Sequence, residues 1–554
     1  MKTLKEIFIM TLCITLSAAL TLSTGAFADT ADTGSSWGDV QQDNFTRTTS
    51  ADAWNKGDPE NVEVITDVGD GAIRLTEGKT DGSWTSPEMD VPDFEYMVAS
   101  WTADTPEGTW VEIKARAYVT MYKEWTDWQS WGQWGTSIKR GSANTETDRA
   151  MVDTDTFIVL GEDGETASRI QLMAVLHSED LAVTPTLRDI STTSLNTLDG
   201  QDIPVYHPDE DVELPEKVIL DTPSYSQLRR DISINRGICS STSMTMLLND
   251  RDSSLDLFPE EIALRSYDFI YKGFGNWPFS AAAAGAYGYS AYVHYADFDF
   301  LRQELACGRS LAISVQYANS ESGGNPYLEN GAASDTGGHL ITIVGYETID
   351  GVDYFYSNDS ATSPDAECAL RRYRADQLDV CWSSRIVYVV SDQTEQNAGQ
   401  DAPQRIQGAL EPAEAEDTYR LMVSGEEVAL SSTFSAKTSN LGGGTVFVIT
   451  DNAQVETMPE PVEATTANSQ LEYCKVDTDG HVVISTADMQ ELGAKGGTCY
   501  IITNNGPTYV AAFTLRQPAA SGTTTIIIAV AVIAVILLAG GIMLQKKKQN
   551  RNSK

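Results

Sequence analysis

A cysteine, a histidine and an aspartate are spaced in this chain so that ordinary secondary structure can bring them together. Cys239 lies in "INRGICSSTSMTMLLND" (residues 234–250), after Gly237, which permits a turn, and before Met244, Leu247 and Leu248 at helical spacing. That puts the thiol at or near a helix N-terminus, where unpaired amides and the macrodipole stabilise a thiolate. A buried structural cysteine has the same local sequence, so the stretch alone does not choose. There are only five histidines, and two of them, His294 and His339, fall in the same region. His339 opens "GGHLITIVGYETIDGVDYFYSNDSA", which reads as a strand over 340–346, a turn around Asp350 and Gly351, and a second strand over 352–357 that ends beside Asp359. An Asp-Gly hairpin of this kind brings Asp359 back toward His339. The small Gly338 and its neighbour Gly337 let a substrate or a helix come close. Cysteine as nucleophile, histidine as base and a carboxylate to orient the imidazole are the parts of acyl chemistry through a thioester.

These residues need a scaffold. At 554 residues the chain exceeds a single core, and its 41% hydrophobic content is that of a folded protein. After a polar leader (29–50), residues 51–197 run through short alternating segments such as "EYMVASWTA" and "TWVEIKARAYVTMY", divided by Gly, Asp and Pro turns. That pattern predicts a β-sandwich. Nine of the eleven tryptophans precede residue 135, four of them in "WTDWQSWGQW". They fill the sandwich core and its edges, or form a platform for sugars. A spacing of three cannot place all four on one strand face. A Pro/Asp-rich linker (198–217) leads to a mixed α and β unit at 218–392 that holds the cysteine, histidine and aspartate. A second linker (393–417) leads to a small β domain (418–517), followed by a short linker (518–525).

The two ends predict export and anchoring. Lys2 and Lys5 precede an apolar run and a small-x-small site at Ala26-Phe27-Ala28, the pattern of a signal peptide over 1–28. The uncharged run 526–544 is followed by the basic tail 545–554, the pattern of one membrane-spanning helix with its basic flank in the cytoplasm. The expected localisation is therefore the cell membrane, single-pass type I, with the bulk of the chain extracellular and bacterial, Gram-positive by its anchoring. The net charge of −41 disfavours nucleic acid and anionic polymers as partners and favours solubility or basic partners.

Cys474 and Cys499 both fall in strands of the last domain and are candidates for a disulfide, while at least one thiol of the middle unit stays unpaired if Cys239 is kept for chemistry. No P-loop, zinc-ligand cluster or calcium loop is present in the sequence, and the histidines are too few and dispersed for a zinc site. No cofactor or metal is expected.

The segments "SYSQ", "CSSTSMTMLL", "GNWPF", "GGHLITIVGY", "SNDSA" and "RRYRADQLDVCW" follow the order of the bacterial peptidase C39-like proteins, and residues 218–392 resemble that family. The preceding region, with "SWTSPEMDV" and "GTWVEIKARA", is similar to the sandwich ahead of that domain in secreted members. The resemblance implies a papain-like fold with Cys239 as nucleophile, His339 as base and Asp359 as orienter. It also implies that Gln227 and the Cys239 backbone amide would hold the oxyanion. Many members have proline where Ser241 and Ser360 stand, and no ATP-binding cassette follows, so the cleavage after paired glycines seen in transporter-linked relatives does not carry over. Trp277 and Phe279 in "GNWPF" are candidates, with Gly338, to wall a substrate cleft, although core aromatics would look the same.

The expected whole is multidomain: an N-terminal β-sandwich, a central α+β papain-like domain, a small C-terminal β domain and one transmembrane helix. The expected function is a cell-surface cysteine peptidase or amide hydrolase on an extracellular peptide or protein, cell-wall peptide included. The alternatives are an inactive surface adhesion or binding protein on a papain-like scaffold, and an acyl-transferring crosslinker.

Overall fold

The computed structural model describes residues 44–161, 165–197, 214–230, 234–393, 405–430, 445–450, 474–486, 496–503 and 508–516. Residues 45–195 form two facing antiparallel sheets of seven strands each. Strand Thr109–Val119 shows why: Thr109, Val111, Ile113, Ala115, Ala117 and Val119 alternate inward with half-exposed polar and aromatic neighbours, the period of two that a half-buried strand requires. Tryptophans fill the space between the sheets. Trp54, Trp84, Trp101, Trp131 and Trp134 are fully buried. Trp131 and Trp134 reach the core from one strand because the pairing of Gln129–Trp134 with Thr109–Val119 shifts register between Ser130 and Gln133. Gly132, at φ +96 inside that bulge, takes a backbone conformation closed to side chains, and a Cβ there would meet Gly141 O at 2.0 Å.

The middle unit is an antiparallel sheet in the order Tyr289–Tyr295, Ile386–Gln393, Leu311–Ala318, Asp335–Ile349, Val352–Asn358, Arg371–Arg374, with Lys217–Ile219 beside Asp335–Ile349. The helix Cys239–Arg251 packs on it and is buried along Ser240–Asn249. Most of its small hydroxyls, Thr242 excepted, are satisfied inside: Ser240 Oγ meets Ser280 Oγ and Tyr388 OH, and Ser243 Oγ donates to Leu340 O at 3.1 Å. Helices Pro259–Ser266 and Trp277–Gly285 complete this layer.

The units share their packing. Phe279, from the helix Trp277–Gly285, lies in the sandwich core, edge-on to Trp101 at 6.1 Å. Val293 N donates to Ser100 Oγ and Tyr295 N to Thr193 Oγ1, each at 3.0 Å. Trp134 Nε1 donates to Arg265 O at 3.3 Å. The C-terminal β unit touches the same helical layer, where Arg405 and Thr508 both bind the Glu261 carboxylate.

Two expectations need correction. No helix among the described residues is long and apolar enough to cross a membrane. The described helices are short, the longest being the 13 residues Cys239–Arg251. The stretch 526–544 assigned to a span lies outside the described residues, as do the signal peptide 1–28 and the tail 545–554. The fold class therefore stands as β-rich units with short helices and no transmembrane helix among the described residues, which gives the expected single-pass membrane localisation no support. The Cys474–Cys499 disulfide is also absent, because Cys499 is a free, buried thiol. Cys474 pairs with Ile484, whereas Cys499 pairs with Val446 and Ala511.

Candidate active site

Cys239 is the first residue of its helix, and no side chain caps that end. Its own amide is thus one of the donors left open in a first helical turn. His339 lies in the strand Asp335–Ile349, opposite Val315. Asp359 follows the partner strand Val352–Asn358 across a tight turn in which Asp350 (φ 51) and Gly351 (φ 77) both adopt the left-handed conformation, as a two-residue hairpin demands. The register pairs Thr342 with Asn358, so Asp359 comes level with the histidine end of the strand. His339 Nε2 lies 2.7 Å from Asp359 Oδ1, with both side chains buried. That leaves Nδ1 as the ring nitrogen for Cys239, whose thiol hydrogen-bonds with His339.

The electrostatics follow from these contacts. Burial pushes the Cys239 thiol up, but the hydrogen bond and charge of His339, with the amides of Leu340 and Ser240, outweigh it and hold the thiol below its ordinary range. Burial opposes the charge on His339, yet Asp359 and the thiolate raise the imidazole well above its usual value. Asp359 is pushed up by burial and pulled down further by the imidazole and its other donors, to about 2. Those donors fill the carboxylate. Ala361 N (3.1 Å) joins His339 on Oδ1, and the hydroxyls of Tyr317 (2.6 Å) and Tyr373 (2.8 Å) bind Oδ2. The arrangement can hold a thiolate–imidazolium pair and move a proton between sulfur and a ligand.

Gln227 is buried in a short 3₁₀ turn. Its Nε2 donates to Asn235 O (2.9 Å), its Oε1 accepts from Ser360 Oγ (2.7 Å), and one amide hydrogen has no partner among the described residues. A cleft of about 950 Å³ opens over Cys239 and His339, lined also by Gly338 and Trp277. Gly338 is exposed, with open space where a Cβ would stand. Phe279 does not wall this cleft: it is fully buried in the sandwich core, because its helix turns that face toward the neighbouring unit. Tyr96 and Leu195 of the sandwich also line the cleft. Sequence reasoning missed these, together with Tyr317, Tyr373 and Ser360. Tyr373 and Ser360 stood in segments already singled out, "RRYRAD" and "SNDSA", but nothing local marks their partners. Among the described residues, Asp477, Asp479 and His481 bring ligand-type atoms within 4.8 Å of one another. Asp477 Oδ1 there accepts from the amides of residues 479 and 481, so a turn accounts for their closeness.

Two family models match the chain: the peptidase C39 N-terminal domain over residues 40–194, and the peptidase C39 like family over residues 219–385. Two stretches of the chain thus match models of the C39-like peptidases. Cys239, His339 and Asp359 all fall inside the second match, and the sandwich coincides with the first. No curated protein matches the chain. Solved structures with some likeness include proCathepsin B S9 from Trypanosoma congolense (13% identity, 35% of this chain and 83% of that one, TM-score 0.25). Xylellain, a cysteine protease from Xylella fastidiosa, matches at 17% identity over 36% of this chain and 94% of that one, TM-score 0.23. The Clostridium thermocellum xylanase 10B CBM22-1–GH10 modules match at 12% identity over 31% of this chain and 28% of that one, TM-score 0.15. Scores this low carry nothing about the activity of this chain.

Proposed function

We propose that this protein is a cysteine peptidase or amide hydrolase acting on a peptide or protein substrate. The observation that carries the reading is the single imidazole shared by two partners, Nε2 on Asp359 and the other ring nitrogen on the Cys239 thiol. The thiolate adds to the scissile carbonyl carbon, and the oxyanion takes hydrogen bonds from the Cys239 amide and the remaining Gln227 amide hydrogen. Collapse expels the amine, which takes the proton from the His339 imidazolium, and leaves a thioester on Cys239. Water then adds to the thioester with His339 as base, releasing the acid and restoring the thiol. Asp359, held by four donors, keeps the imidazole aimed throughout.

Digestion of a proteome-derived peptide library by the full chain, read by mass spectrometry, tests this. Wild type yields new termini in a repeated sequence context, and Cys239→Ala yields none. Equal termini from both proteins, or none from wild type while Cys239 is reduced, would sink the proposal.

A further inference from the structure

The sandwich lends the cleft a charged side chain. Asp155, a sandwich residue, lines the cleft with Cys239 and is half-buried. Its position is set from within its own unit: Trp131 Nε1 donates to its carbonyl at 2.9 Å, and Thr154 before it sits at φ 58. Its carboxylate receives Thr156 Oγ1 at 3.0 Å and, at 3.4 Å, the amide of Trp277. It forms no salt bridge among the described residues. Tyr96, Tyr295 and Trp277 line the same cleft, and all three rest on one core cluster together with Cys239. The phenol of Tyr271, on the same cleft, is raised by burial and then by the charges of both Asp155 and Cys239, so both acidic groups lie within electrostatic reach of it.

Burial raises the Asp155 carboxyl to about 7, so a docked cation is what would hold it ionised; without a cationic partner and beside aromatic walls, it is complementary to a long cationic side chain. The apolar stem lies along the rings and the charged head reaches the carboxylate. Arg236 and Lys272 also border the cleft, but both are exposed, and water screens them more than Asp155. The acidic balance of the whole chain, −41, acts in the same direction by drawing basic peptides in.

We propose that the cleft selects peptides with a lysine or arginine close to the bond attacked by Cys239, the stem lying on Tyr96, Tyr295 and Trp277 and the cationic head on Asp155. This rests on the catalytic reading above. It makes the sandwich a part of the substrate site.

The test is the rate at which Cys239 of the full chain is alkylated by iodoacetyl-lysine amide and iodoacetyl-glycyl-lysine amide, against their uncharged norleucine counterparts. At low salt at least one lysine reagent reacts about tenfold faster than its counterpart, a modest share of a contact charge pair near a protein surface. In Asp155→Asn, which keeps one of the two acceptor oxygens used by Thr156 and Trp277, that ratio falls to near one. A ratio of one in wild type, or a ratio that Asp155→Asn leaves unchanged, overturns the proposal. Equal slowing of charged and uncharged reagents in the variant also overturns it, since Asp155 would then only brace the helix at Trp277. A Cys239 inert to every reagent overturns the catalytic reading itself, and this inference with it.

Discussion

The hydroxyl of Tyr373 donates to Asp359 Oδ2 at 2.8 Å, on the oxygen that His339 does not use. With Tyr317 on the same atom, the carboxylate is held in place from behind while it orients the imidazole in front. Tyr373→Phe removes one donor and nothing of the ring. The Asp359 carboxyl then rises from about 2 toward its ordinary range, and the acid limb of the pH profile of kcat/KM moves to higher pH. Losing one hydrogen bond to a buried charge costs stability by about 1–3 kcal/mol. A profile that stays in place would show that the tyrosine only packs.

Alkylation of Cys239 by iodoacetamide reads the thiolate directly. With the thiol held down by His339, the wild-type rate stays near its plateau well below the free-thiol pKa of about 8.5. His339→Ala removes the favourable partner and keeps the burial, so the rate rises only above that pH. Near pH 6.5 the variant reacts about 10²-fold more slowly. Coincident profiles would mean that the imidazole does not activate the sulfur.

Gln227 separates two roles by its readout. As an oxyanion donor, its replacement by alanine lowers kcat by about 10²–10³ with little change in KM. As a brace between Asn235 and Ser360 alone, it would lower the urea midpoint while leaving kcat per folded molecule intact. Steady-state kinetics beside a denaturation curve decide between them.

His294 gives an acid-sensitivity independent of catalysis. Burial holds its imidazole down to about 3. Thr193 Oγ1, which accepts from Tyr295 N, has its proton free for His294 Nδ1 at 3.0 Å, which suits a neutral ring. The unfolded ring takes up a proton below about pH 6.5 and the folded ring does not. The stability is therefore complete above that pH and is lost as pH falls, by up to about 1.4 kcal/mol per unit. Between pH 7 and 5, His294→Gln should lose less stability than wild type by about 2 kcal/mol, measured from urea midpoints. Parallel loss in both proteins would refute the assignment.

The sequence by itself determined what is local. Asp350-Gly351 demanded the hairpin that carries Asp359 back to His339, because few residue pairs tolerate two left-handed conformations in succession. Gly237 and the helical spacing after it placed Cys239 at a helix start, and strict alternation marked the sandwich strands. What depended on partners distant in sequence needed the tertiary structure. Phe279 read as a cleft wall but is core, because its neighbours come from the sandwich. Trp131 and Trp134 share the interior only because a bulge at Gly132 resets the strand's period. Cys499 read as half of a disulfide but is unpaired, since strand order decides which cysteines meet. The expected membrane helix is corrected for a different reason: an apolar run predicts a span, but no described helix provides one. Tyr317 and Tyr373 converge on Asp359, and Asp155 on the cleft, through contacts that sequence spacing does not encode. Backbone preference acts between neighbouring residues, whereas a carboxylate's donors and a cleft's far wall are set by the packing of whole sheets.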